Sequence, residues 1–279
     1  MRTAAELGTR LMIVTLLAFA SAIAVAGEAE QITFFSRDKT LHGLLYKPTG
    51  DGPFPTVVYY GNFPGNPSDL PPASSLASFP IEPSSFESVA TQFTTRGWAF
   101  FALYRRAPQG LARSASRSDS LEAQITWHKT SAHDDRAAAL IWLQQQPFVR
   151  LRSISVVGNA IGGIEAVLEA QNANYCAVVD AGGATFIWDY QPVQQLLLDA
   201  VTNSRAPILF IQAQNDLTLQ SSQVLYDAML AAGKPAALHY YPALGTSPAD
   251  AHSFLWQEPR IWGDDVVGFL NANCRSANN

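Results

Sequence analysis

The sequence predicts an α/β fold: a mostly parallel central sheet of about eight strands with helices on both faces. Two observations predict the class. From residue 56 onward, short apolar runs alternate with helix-period segments, and strands that alternate with helices imply a parallel sheet covered on both sides. Ahead of them, two further runs joined by Arg37-Asp38-Lys39-Thr40 read as an antiparallel hairpin that extends one edge of the sheet. Size and composition agree. The chain has 279 residues, 48% hydrophobic and 15% charged, which suits one large globular domain over residues 28–279 with a sizeable core.

Strands are expected at residues 32–36, 41–47, 56–60, 98–103, 154–157, 175–179, 207–212 and 237–241. The first helix is expected at 86–95, closed by Gly97, and the second is capped by Ser131 with Asp134 three residues on. Further helices follow at 164–170 and 191–201, then one carrying Val224, Leu225, Ala228, Met229 and Ala232 and ended by Gly233, and a last one at 262–271. Two long connections, 61–86 and 104–130, begin at strand C-terminal ends, the side on which such sheets carry their sites. Loops this long either serve a site or are plain surface excursions.

The first 26 residues stand apart. Arg2 and Arg10 flank a short polar start, residues 11–20 form an apolar core, and Ala24-Val25-Ala26 offers small residues in an A-x-A arrangement. This pattern predicts a secretory signal peptide over residues 1–26, cut after Ala26. The mature chain is then periplasmic or secreted, with no stable membrane association. An uncleaved anchor is the alternative, because the apolar stretch runs on to Ala26. A net charge of −5 without a long basic run gives nucleic-acid binding no electrostatic support. The sequence has no Cys/His cluster of metal-binding type and no evident repeat. Its only two cysteines, Cys176 and Cys274, face each other across the predicted architecture. Cys176 lies near a strand start, and Cys274 follows a last helix that returns to the same edge. Export favours a Cys176–Cys274 disulfide; two unpaired thiols are the alternative.

The centre of the chain is the stretch 153–170, S-I-S-V-V-G-N-A-I-G-G-I-E-A-V-L-E-A. It reads as strand, tight glycine turn (Gly158, Gly162, Gly163) and helix, the context of a nucleophile elbow, G-x-S-x-G. Plain strand-to-helix packing is the other reading of such a turn. The spacing is not that of a nucleotide loop. Ala160 occupies the nucleophile position, and a methyl group cannot attack a carbonyl. An elbow needs an acid and a histidine later in the chain. Asp216 follows the strand at 207–212 by one short loop, and His252 follows the last strand, so the order is Ala160, Asp216, His252.

These motifs resemble the dienelactone-hydrolase-like group of the α/β-hydrolases over roughly residues 32–270. The best matches are G-N-A-I-G-G at the elbow, F-I-Q-A-Q-N-D ending at Asp216, and A-H-S-F around His252. The resemblance implies the α/β-hydrolase fold and hydrolysis of a small-molecule ester or lactone through an acyl-enzyme, without cofactor or metal. It also implies oxyanion N–H donors at Ile161 and Asn62. Three features depart from the pattern: Ala160 at the nucleophile, Tyr59-Tyr60-Gly61-Asn62 in place of a His-Gly segment, and no Gly-His-Gly after Arg105-Arg106. Two readings stay open: a serine-type hydrolase inactivated at its nucleophile, or a non-catalytic ligand-binding protein on a hydrolase scaffold. Tyr60, Phe63, Trp127 and Trp188 are expected at the pocket rim, or, for the two tryptophans, as anchors of loops to the core.

Overall fold

The computed structural model describes residues 28–61, 84–104, 117–172 and 175–274. The segment 1–26 read as a signal peptide, Asn62, Phe63 and the stretch that begins with Arg105-Arg106 lie outside the described residues.

Eight strands form one sheet in the order β1-β2-β4-β3-β5-β6-β7-β8. β1 (Glu30–Ser36) and β2 (Lys39–Tyr46) make the antiparallel hairpin, turned through Arg37, which takes a left-handed φ of 54°. β2 pairs antiparallel with β4 (Ala99–Leu103). From there β4, β3 (Phe54–Tyr60), β5 (Val149–Asn159), β6 (Val178–Ala181), β7 (Ile208–Ala213) and β8 (Ala236–Tyr241) are all parallel.

Period-2 alternation sends successive strand residues to opposite faces, and both faces are buried. Val58, Tyr60, Phe101, Val156, Val178, Ile208 and Phe210 pack into one core. Helices α3 (Ser131–Gln144), α4 (Ile161–Asn172), α5 (Gln191–Thr202) and α6 (Gln220–Ala231) supply its other side. Val57, Tyr59, Phe100, Val157, Val179, Leu209 and Ile211 face the second core. That core is closed by α1 (Ser84–Thr94), α8 (Phe254–Gln257) and α9 (Pro259–Asn273). The chain thus leaves β3 towards one face through α1 and leaves β5 towards the other through α4. The crevice between the C-terminal ends of β3 and β5 is a topological switch point, where α/β sheets hold their ligands.

Three expectations need correction. The connection 104–130 contains a helix, α2 (Arg117–Lys129), which buries only a narrow stripe through Leu121, Ile125 and His128. The Ser131–Asp134 capping box is not formed: Thr130 is the N-cap residue of α3 and makes no side-chain cap bond, and Asp134 pairs instead with Arg37 at 3.0 Å. The strand expected at 175–179 is β6, 178–181, so Cys176 lies just ahead of it. Cys176 is bridged to Cys274 by a disulfide, with a Cα–Cα distance of 5.1 Å. Ser153 Oγ donates to the Cys274 carbonyl at 3.0 Å, tying the end of α9 to β5.

Candidate active site

β5 ends at Asn159, and α4 begins at Ile161. Ala160, between them, has a φ of 55° and is buried. An L-residue in this left-handed region costs roughly 1–2 kcal/mol, so the neighbours must hold it there. Ala160 N–H donates to Ala181 O at 3.0 Å, while Ala160 O accepts from Gly163 N at 3.0 Å and from Ile164 N at 3.3 Å. The turn demands a glycine at 162, because a Cβ there would run into the Tyr60 carbonyl at the end of β3. Asn159 braces the turn from below, donating Nδ2–H to Ala181 O at 3.2 Å and accepting Trp256 Nε1–H on Oδ1 at 3.1 Å. Ile161 is the first residue of α4, so its N–H has no acceptor within the helix and lies beside the Ala160 methyl.

The ends of β5, β6 and β7 are in register, with Asn159 opposite Ala181 and Ala181 opposite Ile211. This alignment lays Ala160, Gly182 and the Asp216 loop in a row. Gly182, at a φ of 65°, passes so close that a Cβ would stand 3.1 Å from Asp216 Oδ2 and 3.6 Å from His252 Nδ1. His252 is the last residue of α7 (Pro248–His252), a short helix held by a capping box between Ser247 and Asp250. Its Nδ1 is 3.1 Å from Asp216 Oδ1 and 3.3 Å from Oδ2. Asp216 also accepts from Leu217 N at 2.7 Å and from Gln212 Nε2 at 3.0 Å. The carboxylate is therefore fixed by three partners, and an Nδ1–H aimed at it leaves Nε2 as the bare, basic nitrogen. That Nε2 is buried, without a hydrogen-bond partner among the described residues.

The sequence reading missed Thr185, whose Oγ1 donates to Gly182 O at 3.3 Å and lies 3.2 Å from His252 Nδ1. It stands on the carboxylate side of the imidazole, where a hydroxyl steadies the ring but cannot hand its proton to Nε2. The other nearby hydroxyl, Ser253 Oγ, is committed to the Ala249 carbonyl at 3.0 Å. Neither replaces the nucleophile.

Two rim residues proposed from the sequence are core residues. Tyr60 faces the α4 side of the sheet, is 2% exposed, and its hydroxyl meets that of Tyr175 at 3.0 Å. Trp188 is likewise buried in that core. Trp127 is half-buried on α2, edge-on to His128 with ring centroids 5.1 Å apart. The apolar surface against His252 comes instead from Phe186, whose ring meets the imidazole edge-on at 4.5 Å; exposed Leu217 directly follows Asp216 in the chain.

Behind the elbow, Glu165 and Glu169 of α4 are both buried. Glu169 Oε1 accepts from Arg136 Nε at 2.7 Å and lies 3.3 Å from His133 Nδ1; Glu165 lies 3.2 Å from His128 Nδ1. The bond to Glu169 raises the His133 pKa. Asp180, on β6, is also buried. Burial pushes its carboxyl up to about 7, opposed by the Gly183 N–H that it accepts at 2.8 Å. Among the described residues, no three or more His, Cys, Asp or Glu side chains gather as they would around a metal ion. No described helix is long and apolar enough to cross a membrane.

The dienelactone hydrolase family matches residues 77–273, more than half of the chain. No curated protein matches the chain by sequence. Among solved structures, an acylaminoacyl peptidase of Pyrococcus horikoshii superposes with a TM-score of 0.61 at 15% identity, covering 91% of this chain. The present chain spans only 43% of that peptidase. A Klebsiella pneumoniae protein described as a dienelactone hydrolase gives a TM-score of 0.61 at 16% identity, covering 88% of this chain and 97% of its own. An esterase of Pyrococcus furiosus gives 0.59 at 15% identity, with 89% and 92% covered. At these identities the likeness concerns the fold, which is the α/β-hydrolase fold.

Proposed function

The chain belongs to the dienelactone hydrolase family, and from that membership and the geometry of its site we propose that it binds a carboxylic ester or lactone at the elbow without turning it over through an acyl-enzyme. The observation that carries this reading is the pairing of an assembled His252–Asp216 couple, its Nε2 without a partner, with a methyl group at position 160. In a hydrolase of this fold the elbow hydroxyl donates to that nitrogen, attacks the carbonyl carbon, and leaves its proton on the imidazole for the departing alcohol. Ala160 has no proton to give and no lone pair to attack with. Recognition does not need the hydroxyl: the Ile161 N–H, free of a helical acceptor at the start of α4, is available to a carbonyl oxygen as an oxyanion donor.

A purely structural scaffold has no need of a carboxylate held by Gln212, Leu217 and His252 together beside an imidazole. The preserved couple therefore favours a site shaped for esters over a purely structural scaffold. Restoring a hydroxyl by Ala160→Ser and assaying short-chain aryl esters tests the reading. We also place the mature chain in an oxidising compartment outside the cytoplasm. The A-x-A site ending at Ala26 and the Cys176–Cys274 bridge support this placement.

A further inference from the structure

Seven large apolar side chains stand exposed among the described residues: Phe35, Ile141, Leu151, Phe186, Leu217, Leu230 and Ile261. Isolated ones need no explanation. Phe186 and Leu217 are different, because both adjoin the same buried carboxylate–imidazole couple. Phe186 is 58% exposed, yet its ring stands against His252. Leu217 is 43% exposed, yet its own N–H is bonded to Asp216 Oδ1.

The position of Phe186 is imposed by the turn that carries it. Asp180 Oδ1 accepts Gly183 N–H at 2.8 Å, and Gly182 and Ala184 both take left-handed φ values, 65° and 63°. Thr185 then clips back to the Gly182 carbonyl and reaches His252. For Ala184 that conformation costs roughly 1–3 kcal/mol, a strain that persists only where surrounding contacts over-determine the backbone. Those contacts present an aromatic ring, one edge on the imidazole and much of the rest in water, one residue beyond the hydroxyl that steadies His252. Leu217 is held through its backbone, whose N–H donates to Asp216 Oδ1 at 2.7 Å.

We infer that Phe186 and Leu217 are the specificity residues of the site, forming an apolar wall that selects esters carrying an aromatic or bulky apolar group beside the His252–Asp216 couple. The inference rests on the ester-binding reading above and names the ligand class within it. Such a group covers the exposed ring and the leucine, removing apolar surface from water, and gains an edge-to-face contact if it is aromatic. A small aliphatic ester leaves both side chains wet.

Because position 160 is alanine, an intact ester persists long enough for equilibrium titration. The test is a titration of the exported chain, labelled with 13C at histidine Cε1, with phenyl acetate and separately with methyl propionate. The His252 resonance is assigned by its loss in His252→Gln. The expected result is a saturable shift of that resonance, with phenyl acetate binding at least fivefold more tightly than methyl propionate. Phe186→Ala and Leu217→Ser, both at exposed positions, each weaken phenyl acetate at least threefold and narrow its advantage over methyl propionate. Equal affinity for the two esters, or an unchanged phenyl acetate midpoint in both variants, overturns the inference while leaving ester binding intact. No movement of the His252 resonance with either ester overturns the ester-binding reading and the inference together.

Discussion

The imidazole of His252 meets Asp216 at 3.1 Å through Nδ1, while its buried Nε2 has no hydrogen-bond partner among the described residues. An imidazole whose Nδ1 is engaged by a carboxylate keeps Nε2 as its basic nitrogen, which bears on what the site does. The carboxylate side of the ring is over-supplied by comparison. Asp216 and Thr185 both face Nδ1, and Gln212 and Leu217 hold Asp216 in turn.

This arrangement predicts a strong dependence on Asp216. In an Ala160→Ser background, adding Asp216→Asn lowers kcat on an aryl ester on the order of 10³–10⁴-fold, because the imidazole loses its fixed tautomer. The melting temperature changes little beside that loss. Steady-state kinetics on the single and double variants check it, and a loss below tenfold contradicts the role assigned to the acid.

Asp180 gives a pH dependence whose sign can be worked out. Its folded pKa is raised to about 7, chiefly by burial, from about 4 in the unfolded chain. Below about pH 4 both states hold the proton, and the group adds no pH-dependent penalty. As the pH climbs from about 4 to about 7, only the unfolded state releases it, so stability falls, by on the order of 4 kcal/mol in full. Asp180→Asn keeps an oxygen for the Gly183 N–H and removes the titration. Urea unfolding of both proteins from pH 5 to pH 8 should show the variant's advantage growing with pH. A constant difference between the two across that range contradicts the burial argument.

The disulfide closes a loop across 98 residues of sequence. Chain-entropy arguments value such a loop at up to roughly 4–5 kcal/mol. Cys274→Ser is expected to lower the melting temperature by roughly 5–15 °C, and reductant should lower the parent's but not the variant's. Parent protein that melts at the same temperature with and without reductant contradicts the bridge.

How much of this was legible in the sequence depends on burial and period. The strands β3, β4 and β7 are buried on both faces, so they read as continuous apolar runs. α2 did not read as a helix because few apolar residues punctuate it: among its described side chains only Leu121 and His128 are fully buried, in a largely polar segment. The order Ala160, Asp216, His252 was legible because each residue follows a strand or a glycine turn. The rim was not. Tyr59 and Tyr60 alternate to opposite faces, but helices cover both faces, so a tyrosine at a strand end goes into a core either way. Thr185 and Phe186 lie in a turn with no period; the one signal was D-A-G-G at the end of the sixth strand, a carboxylate and two glycines fit to cap a sharp bend. The helix that carries His252 was not read from the sequence, although S-P-A-D sets a serine and an aspartate at capping-box spacing around a proline.

The central claim is that the site lacks only a nucleophile. The most direct measurement is the turnover of p-nitrophenyl acetate and butyrate by the parent, by Ala160→Ser and by Ala160→Ser/His252→Ala. With serine in place, Oγ gives its proton to His252 Nε2 as it attacks the carbonyl. The imidazolium then protonates the departing alkoxide, and water repeats the sequence to free the acid. The account predicts background rates for the parent and a gain on the order of 10³-fold or more for Ala160→Ser, set against the roughly 10⁶-fold that a serine nucleophile commands elsewhere. Removal of His252 should return the rate to background. A well-folded Ala160→Ser protein with no gain over the parent, or a gain that survives the loss of His252, contradicts it.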